Sequence, residues 1–406
     1  MSIIDGNLDA LKYEIQEDSR HGARIKVVGV GGCGLNAVGR LVEEGLVGPE
    51  FFAIDTDAQA LASSKVPNKI QIGAKLTGAL GAGSDPKIGR RAAEEDTNRL
   101  IEMLQGADMV FVTAGLGGGT GAGAAAVVAS LAKELEALTV AVVTKPFTFE
   151  GPKRMRLAEQ SMEELAEVVD TLITIPNDRL LTIVPRGTSI KQAFRLADDI
   201  LRQAVEGIAD IICTPGVINL DFSDIKATML GMGHAMMGTA TAHGENAAVE
   251  AARQAINCPL LEDTKIKGSR RILINITCAA TLGLHAIDEA CSIVRQAADS
   301  DDLQITFGIA NDDSLGDAVK VTVIATGFRV ETPMLDALRE TKAFMDRIPD
   351  VPPVPPVPPG PQAQAEPPAP PVVETAPPDE PPIVPLALDL DDLDTPAYLR
   401  QGKHLN

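Results

Sequence analysis

The chain has no tryptophan, two tyrosines and only 3% aromatic residues among its 406 residues. Hydrophobic residues nevertheless make up 45% of the sequence. A large core is therefore possible, and it must be built mainly from aliphatic side chains. The length suffices for two domains and a tail.

Basic residues are also scarce, since 36 Lys and Arg face 56 Asp and Glu and the formal net charge is −20. Proteins that bind a nucleic-acid backbone or adsorb to anionic lipid need clustered cations. The charge balance therefore argues against both kinds of partner.

Long apolar runs are missing too, and no stretch approaches the 18 or so residues of a membrane-spanning helix. The first 20 residues are polar and acidic, without the basic flank and apolar core of a signal peptide. The five cysteines, at positions 33, 213, 258, 278 and 291, are dispersed and include no C-x-x-C. This usage is typical of reduced thiols and predicts a cytoplasmic protein.

Residues 24–188, after a flexible leader at 1–23, alternate between short apolar strands and amphipathic helices. The predicted strands are RIKVVGVGG, EFFAIDT, KIQIG, DMVFVTAG, LTVAVVTKP and TLITIPN. One helix is predicted over residues 88–104, with the sequence IGRRAAEEDTNRLIEML. Continuous apolar strands alternating with helices indicate an α/β fold, with a Rossmann-like, mostly parallel sheet covered on both faces.

A long helix is predicted over residues 189–212, where apolar residues recur at steps of three and four. Ser189 and Gln192 fit a capping box at its start. At about 1.5 Å per residue this helix spans roughly 36 Å, the width of a domain. We expect it to be buried between two bodies.

Residues 213–330 predict a second, smaller α/β domain with a mixed sheet. Helices are expected over 224–238, 245–257 and 284–299, and strands over 270–278, 303–310 and 318–328.

Proline is concentrated near the end, since Pro349–Pro385 holds 17 of the 28 prolines. Residues 331–385 therefore read as a variable helix followed by an extended, semi-rigid polyproline linker. The acidic segment 386–406 that follows is either solvated or a partner-binding peptide, and its composition leaves both possibilities open.

A first glycine loop, GVGGCGLN at residues 29–36, lies between a predicted strand and helix. Gly29, Gly31 and Gly34 match G-x-G-x-x-G, and Asp55 follows about twenty residues later, as in dinucleotide-binding sites. An NAD-dependent oxidoreductase is therefore one hypothesis, although no His or Lys constellation supports it. A tight strand–helix turn without a ligand is the other possibility.

A second glycine loop, GLGGGTGAG at residues 115–123, also joins a predicted strand to a helix. Two phosphate cradles in one sheet suit a nucleoside triphosphate better than a dinucleotide. No G-x-x-x-x-G-K-[ST] motif is present, so backbone amides and Mg²⁺ must balance the phosphate charge.

A carboxylate pair, Asp221 and Asp224, lies in the segment NLDFSD at residues 219–224. Such pairs perform acid–base or metal chemistry, but Asp is also favoured at the start of a helix.

Together the motifs resemble the tubulin/FtsZ family of GTPases, and most of all its bacterial FtsZ branch. The resemblance covers GLGGGTGAG, VVGVGGCGLNAVGRL, FFAIDTDAQAL, VVTKPFTFEGPKRM, TIPND and NLDFSD, in the family's order, across about residues 25–328. It implies a cytoplasmic GTPase that polymerises into protofilaments at the mid-cell division site. A tubulin-like filament for DNA segregation is a further alternative.

The resemblance implies a set of residues that bind GTP or GDP. They are Gly32, Cys33, Gly34, Leu35 and Asn36 in the first loop, Gly117, Gly118, Gly119, Thr120 and Gly121 in the second, Glu150 and Arg154, and Phe194, Asp198 and Asp199 in the long helix. Many relatives have Gly, Ala or Ser where this chain has Cys33 and Leu35, and Leu35 is bulky for a nucleotide loop.

Base recognition is assigned by the resemblance to Phe194, as the stacking ring, and to Asp199, as the carboxylate that reads the base. A carboxylate only accepts hydrogen bonds, and guanine offers two N–H donors on one edge, so this contact favours GTP. Without the resemblance, a core phenylalanine and a solvated helix face would explain these residues.

Catalysis is assigned by the resemblance to Asp221 and Asp224, with Asn219 in support, inserted into the next subunit's site. They would polarise the attacking water and help to organise Mg²⁺, which the nucleotide phosphates mainly hold. Such head-to-tail contacts between copies of the chain give open filaments.

The sequence DTPAYLR resembles the C-terminal peptide of the FtsZ branch, which implies partner binding through Asp394, Pro396, Tyr398, Leu399 and Arg400. The expected partners are membrane-tethering division proteins and assembly regulators, with no nucleic acid and no direct membrane insertion.

Overall fold

The computed structural model describes residues 22–182, 184–185, 187–213, 216–218, 220–258, 266–279, 282–300 and 302–328. Most of the predicted leader, the linker and the tail peptide with Asp394, Pro396, Tyr398, Leu399 and Arg400 lie outside the described residues, as does Asn219. The domain boundaries given above remain predictions.

Eleven strands are present in the described part of the chain. They are β1 (Ile25–Val30), β2 (Glu50–Asp55), β3 (Asn68–Gln71), β4 (Met109–Gly115), β5 (Leu138–Lys145), β6 (Thr171–Pro176), β7 (Gly216–Ile218), β8 (Gly233–His243), β9 (Arg271–Cys278), β10 (Gln304–Asn311) and β11 (Ala318–Thr326).

Twelve α-helices accompany these strands within the same described ranges. They are α1 (Gly31–Glu43), α2 (Ala58–Ser63), α3 (Ala74–Thr77), α4 (Pro86–Glu95), α5 (Thr97–Leu104), α6 (Thr120–Glu134), α7 (Pro152–Val168), α8 (Asn177–Leu180), α9 (Ile190–Cys213), α10 (Phe222–Met229), α11 (Ala247–Ile256) and α12 (Leu284–Ala298).

The strands form one continuous sheet in the order β3-β2-β1-β4-β5-β6-β8-β11-β9-β10-β7. The first six are parallel and have the doubly wound order 3-2-1-4-5-6. Residues of β1 and β4 are almost entirely buried, and separate aliphatic clusters pack on the two faces of this part of the sheet. The predicted α/β fold with a mostly parallel, doubly covered sheet is confirmed.

The second group of strands continues the same sheet, because β8 pairs in parallel with β6. Strand β11 is antiparallel to β8 and β9, β10 is parallel to β9, and β7 is antiparallel to β10. Following these pairings from β1 shows that β7 runs opposite to β1 and β4. The carboxyl end of β7 therefore points to the opposite end of the sheet from those of β1 and β4.

Helix α9 leads from the parallel part of the sheet, after β6 and α8, to β7 at the edge of the sheet. Its 24 residues span about 36 Å. The predicted capping box is present, because the Ser189 hydroxyl accepts from the Gln192 amide at 3.3 Å while the Gln192 side chain accepts from the Ser189 amide at 3.0 Å. Ten residues of the helix, among them Leu201, Ala204 and Ile208, are buried against the sheet.

The helix predicted over residues 224–238 is wrong in its second half. Helix α10 ends at Met229, and residues 233–243 form β8 instead. Gly231 and Gly233 have φ angles of 65° and 68°, which interrupt the helix and turn the chain into the sheet. Pairing with β6 and β11 then outweighs the helical spacing of the apolar residues.

The helix predicted over residues 88–104 is two helices, α4 and α5, separated at Asp96. This residue has φ −106° and ψ 22°, and its carboxylate accepts a hydrogen bond from the Gly73 amide at 2.7 Å. A hydrogen bond to a backbone amide 23 residues earlier in the chain thus holds Asp96 outside helical geometry.

Among the residues described, none of the helices combines the length and apolar character needed to cross a membrane.

Candidate functional site

A cleft of about 480 Å³ opens where the strand order reverses, beyond the carboxyl ends of β1 and β4. This is the position at which doubly wound sheets bind ligands. Both glycine loops contribute to its wall, which the sequence pattern anticipates because the two parallel strands before them are neighbours.

Two helices, α1 and α6, begin at this cleft without side-chain caps. Neither has an N-cap side chain that accepts a hydrogen bond, and neither has an acidic residue in its first turn. Their first amide groups are therefore left for a ligand, and the helix dipoles favour negative charge at the same points. The arrangement can hold a chain of phosphates between two helix ends.

The glycines of the loops serve two different purposes. A β-carbon on Gly34 would lie 2.3 Å from the Thr113 carbonyl oxygen, and one on Gly121 would lie 2.7 Å from that of Gly115. These positions let backbones pack closely. A β-carbon on Gly32 or Gly118, in contrast, would meet nothing within 4 Å, so these two glycines keep the wall of the cleft open.

One end of the cleft combines an aromatic ring with hydrogen-bond acceptors. Phe194 is 40% exposed and lies edge-on to the buried Phe147, with ring centroids 5.4 Å apart. Asp198, one helical turn later, is 8% exposed and lines the cleft. Asn177, at the start of α8, is buried, and its side-chain oxygen has no hydrogen-bond partner. A planar ligand with N–H donors would satisfy these groups.

Asp198 and its neighbour Asp199 have different surroundings. Burial raises the pKa of Asp198 to about 6, although the Arg40 guanidinium acts in the opposite direction. Asp199 makes an ion pair with Arg40 and is absent from the cleft lining. Asp198 thus lines this cleft, whereas Asp199 lines, together with Asp198, an adjoining cavity of about 920 Å³.

Positive charge is scarce in this cleft, whereas the adjoining cavity is lined by Arg40, Lys65, Lys191 and Arg195. Arg154 is the one cation among the residues that line the cleft, and its guanidinium lies 2.7 Å from the Glu150 carboxylate. Glu150 also accepts a hydrogen bond from the Phe147 amide at 2.8 Å, which fixes its position. A phosphate chain bound in this cleft would therefore meet mainly backbone amide groups.

The structure brings most of the predicted nucleotide residues to the cleft. Those that line it are Gly32, Cys33, Asn36, Gly118, Gly119, Thr120, Gly121, Glu150, Arg154, Phe194 and Asp198. Gly34, Leu35, Gly117 and Asp199 do not line it. Leu35 is 4% exposed and packs in the core, so its bulk faces away from the cleft.

Asn177 and Thr144 line the cleft but were not assigned to the site from the sequence. Both lie at the carboxyl ends of parallel strands, Thr144 in β5 and Asn177 directly after β6. Because such strand ends meet at one edge of a sheet, their order in the chain was a usable signal.

Asp55, the residue that suggested a dinucleotide site, also lines the cleft but is engaged locally. Its buried carboxylate accepts from the amides of Thr56 and Asp57 at 2.7 and 3.3 Å. Desolvation raises its pKa. Nearby, the hydroxyls of Thr56 and Thr120 lie 2.7 Å apart and join this turn to the start of α6.

Asp221 and Asp224 lie far from the cleft of their own chain. Asp221 caps α10, accepting from the Asp224 amide at 2.8 Å, and both residues are exposed. Seven strand spacings, about 34 Å, separate β4 from β7, and α10 follows the end of β7 that points away from the cleft. The helix-start interpretation of Asp221 is confirmed.

No group of three or more His, Cys, Asp or Glu side chains that could hold a metal ion occurs among the described residues.

Two family models match the chain. Residues 24–185 match the GTPase domain of the tubulin/FtsZ family, and residues 233–329 match the C-terminal domain of the FtsZ family. These ranges correspond to the parallel sheet with its cleft and to the strands from β8 onward.

Solved structures agree with these matches. An FtsZ dimer from M. jannaschii, described as empty, is 44% identical with a TM-score of 0.71, over 75% of this chain and 88% of that one. A point mutant of FtsZ from M. jannaschii is also 44% identical, with a TM-score of 0.72, over 76% and 92%. The GDP-bound CetZ1 monomer from Haloferax volcanii, at 21% identity and a TM-score of 0.67 over 80% and 99%, shares the fold.

The family match accounts for both glycine loops, for the uncapped helices at the cleft and for the strands that extend the sheet. It replaces the oxidoreductase hypothesis, which explained only the first loop. The chain belongs to the tubulin/FtsZ family of guanine-nucleotide-binding GTPases.

Proposed function

We propose that this chain hydrolyses GTP to GDP and phosphate while assembling head to tail into protofilaments. One observation carries the proposal: the cleft and the Asp221–Asp224 segment lie at opposite ends of the same sheet. A stack of identical copies would place the carboxylates of one molecule over the cleft of the next.

In the nucleotide complex, the first-turn amides of α1 and α6 hold the phosphates. Gly32 and Gly118 leave room for them, and the Thr120 hydroxyl is available beside them. Arg154, held by Glu150, lies at the cleft wall and neutralises part of the phosphate charge. Mg²⁺ bound to the phosphates supplies the remaining charge, because the lining carries more carboxylates than cations.

At the other end of the cleft, the guanine ring packs on Phe194. Its N1–H and exocyclic amine donate to acceptors, and Asp198 and Asn177 are the acceptors placed there. While it is ionised, Asp198 only accepts hydrogen bonds, and protonation would turn one of its oxygens into a donor. Adenine presents an acceptor at N1 and leaves these groups unsatisfied, so the site favours GTP over ATP.

Hydrolysis takes place at the contact between two copies. Asp221 and Asp224, with Asn219 in support, approach the γ-phosphate of the neighbouring molecule, orient the attacking water and assist the cation. Phosphoryl transfer depends mainly on such positioning and charge stabilisation. Because neither the cleft nor the carboxylate pair suffices alone, turnover depends on assembly.

This contact is heterologous and does not close, so it generates an open filament. The FtsZ dimer from M. jannaschii and the GTPγS-bound CetZ2 protofilament from Haloferax volcanii indicate that assembly by self-association is accessible to the fold. We further propose that the filament is the cytoplasmic scaffold of the division ring, tethered to membrane-anchored division proteins through the tail peptide around residues 394–400.

The test uses the purified full-length chain with GTP, GDP, ATP or no nucleotide, with Mg²⁺ or excess EDTA. We expect sedimentable polymer and phosphate release with GTP and Mg²⁺, a rate per molecule that rises with protein concentration, and neither signal with ATP. Phosphate release that is independent of concentration contradicts hydrolysis at the contact. Equal behaviour with ATP and GTP contradicts the base assignment.

A further inference from the structure

A thiol lies at the base end of the cleft, between two polar side chains from other elements. The Cys33 sulfur, in the first turn of α1, is 3.7 Å from the Thr144 hydroxyl on β5 and 3.9 Å from the Asp198 carboxylate on α9. All three residues line the cleft. Cys33 therefore links three elements at the point where a base would bind.

Asp198 has few other partners. Arg40, from the exposed side of α1, is bound to Asp199 and acts on Asp198 only through its charge. Within the described residues, the Cys33 thiol is the one side-chain hydrogen-bond donor to the Asp198 carboxylate. An aspartate on a helix has several rotamers, and a single donor selects among them.

The opposite wall provides an independent sign of a ligand. Asn177 is 5% exposed, and its side-chain oxygen is buried without a partner. A buried acceptor that lines a cleft and has no donor in the protein indicates that a bound molecule supplies the donor. The base end thus holds two acceptors, one oriented by a thiol and one awaiting a donor.

We propose that Cys33 is a positioning residue for base recognition: its S–H donates to one oxygen of Asp198 and holds the carboxylate so that its remaining acceptor sites face the guanine edge. The inference rests on the proposed GTP site. It concerns a side chain that acts on the base through Asp198.

The protonation states agree with this role. Burial, together with the charge of Asp198, raises the pKa of Cys33 to about 12, so the thiol keeps its proton at neutral pH and stays a donor. In return, the hydrogen bond from Cys33 and the charge of Arg40 oppose the effects of burial and of Asp199, which raise the pKa of Asp198. A neutral thiol therefore helps to keep an acceptor ionised.

The experiment compares wild type, Cys33→Ala and Cys33→Ser by titrating GTP and inosine triphosphate between pH 5.5 and 8.5. Inosine triphosphate lacks the exocyclic amine of guanine. For Cys33→Ala we expect the pH midpoint of GTP binding to rise and the preference for GTP over inosine triphosphate to fall about three- to tenfold. Cys33→Ser retains a donor and should restore both quantities.

Two controls test whether Cys33 affects base recognition through Asp198. In an Asp198→Asn background, Cys33→Ala should have no further effect on either quantity, as a double-mutant cycle requires. Cys258→Ala, at another half-buried cysteine outside the cleft, should match wild type. An unchanged midpoint and an unchanged preference in Cys33→Ala would overturn the proposal. Failure of the wild-type chain to bind GTP would instead reject the proposed function.

Discussion

The two helices that begin at the glycine loops of the cleft start differently from the helix at the opposite end of the sheet. At the cleft end, α1 and α6 start with glycines, without side-chain caps and without acidic residues in the first turn. At the other end, α10 starts with Asp221 as its cap and Asp224 in its first turn. The same kind of element thus presents free amide donors at one end and exposed carboxylates at the other.

Under the proposed function, this difference separates nucleotide binding from catalysis in space. Uncapped helix ends attract phosphates, and an acidic cap would compete with them. Carboxylates that orient water cannot therefore occupy the first turns that hold the nucleotide. In the proposed function the carboxylates lie at the opposite end, which avoids the conflict and makes the complete site a property of two molecules.

The largest effect is expected at the carboxylate end. Asp224→Asn should leave GTP binding within twofold of wild type and lower turnover by about 100- to 1000-fold, the usual loss when a group acting on the transition state is removed. Phosphate release and nucleotide binding measure the two quantities. Asp288→Asn, at an exposed aspartate of α12, is the matched control and should retain turnover. Weakened GTP binding in Asp224→Asn would place this residue in a cleft of its own chain.

The glycines at the cleft end should divide into two classes. Gly34→Ala puts a methyl group 2.3 Å from a backbone oxygen and should lower the free energy of unfolding by about 3 kcal/mol. Gly32→Ala meets open space, so it should keep wild-type stability and lose GTP affinity instead. Denaturant unfolding and nucleotide titration measure the two effects. Wild-type affinity in Gly32→Ala would contradict phosphate binding at this turn.

Asp198 should connect stability to pH. Burial raises its folded-state pKa to about 6 from the ordinary 3.8, so the folded chain binds this proton more tightly than the unfolded chain. The extra stability that this proton gives the folded chain is fully present below about pH 4 and is lost as the pH rises through 6. Asp198→Asn should therefore increase stability at pH 7.5 by about 2 kcal/mol, with no gain below pH 4, and lose guanine preference.

Asp210, near the other end of α9, provides the comparison for Asp198. Burial also raises its pKa to about 6, opposed by Lys320. Asp210→Asn should shift the pH dependence of stability in the same direction while keeping nucleotide preference. A loss of guanine preference in this variant, measured by the same titrations, would contradict the assignment of that preference to Asp198.

The smallest effect is expected at the helix cap. Asp221→Ala removes the acceptor of the Asp224 amide and should lower the free energy of unfolding by about 1 kcal/mol. Asp224→Asn, whose side chain has no such role, should leave stability unchanged within about 0.5 kcal/mol. Thermal unfolding of the two variants shows whether Asp221 alone has a structural role beside the proposed catalytic one, and equal destabilisation would contradict that difference.

Much of the cleft was predictable because its parts are local. The strand–glycine–helix pattern of each loop lies within about 20 residues, and parallel strands bring such loops to one edge of the sheet. The capping box at Ser189 could be predicted for the same reason, because its two residues are close together in the sequence. The family resemblance then supplied Phe194, Glu150 and Arg154, which spacing alone does not reveal.

The misplaced features depend on contacts distant in sequence. Residues 233–238 have helical spacing but form part of β8, because β6 and β11 offer hydrogen bonds that no local pattern reports. Asp198 and Asp199 are adjacent and chemically identical, and only the position of Arg40 on α1 shows which one is free to face the cleft. Asn177 could be assigned to the site only from the order of the strands in the sheet.

The most direct measurement mixes two inactive variants. Asp224→Asn keeps its cleft and lacks the catalytic carboxylate, whereas Gly118→Val fills its cleft and keeps its carboxylates. If the site is shared, random pairing restores complete sites at one contact in four, so an equimolar mixture should release phosphate at about a quarter of the wild-type rate. A mixture no faster than the sum of the two variants, with both folded and Asp224→Asn still binding GTP, would contradict a site built from two molecules.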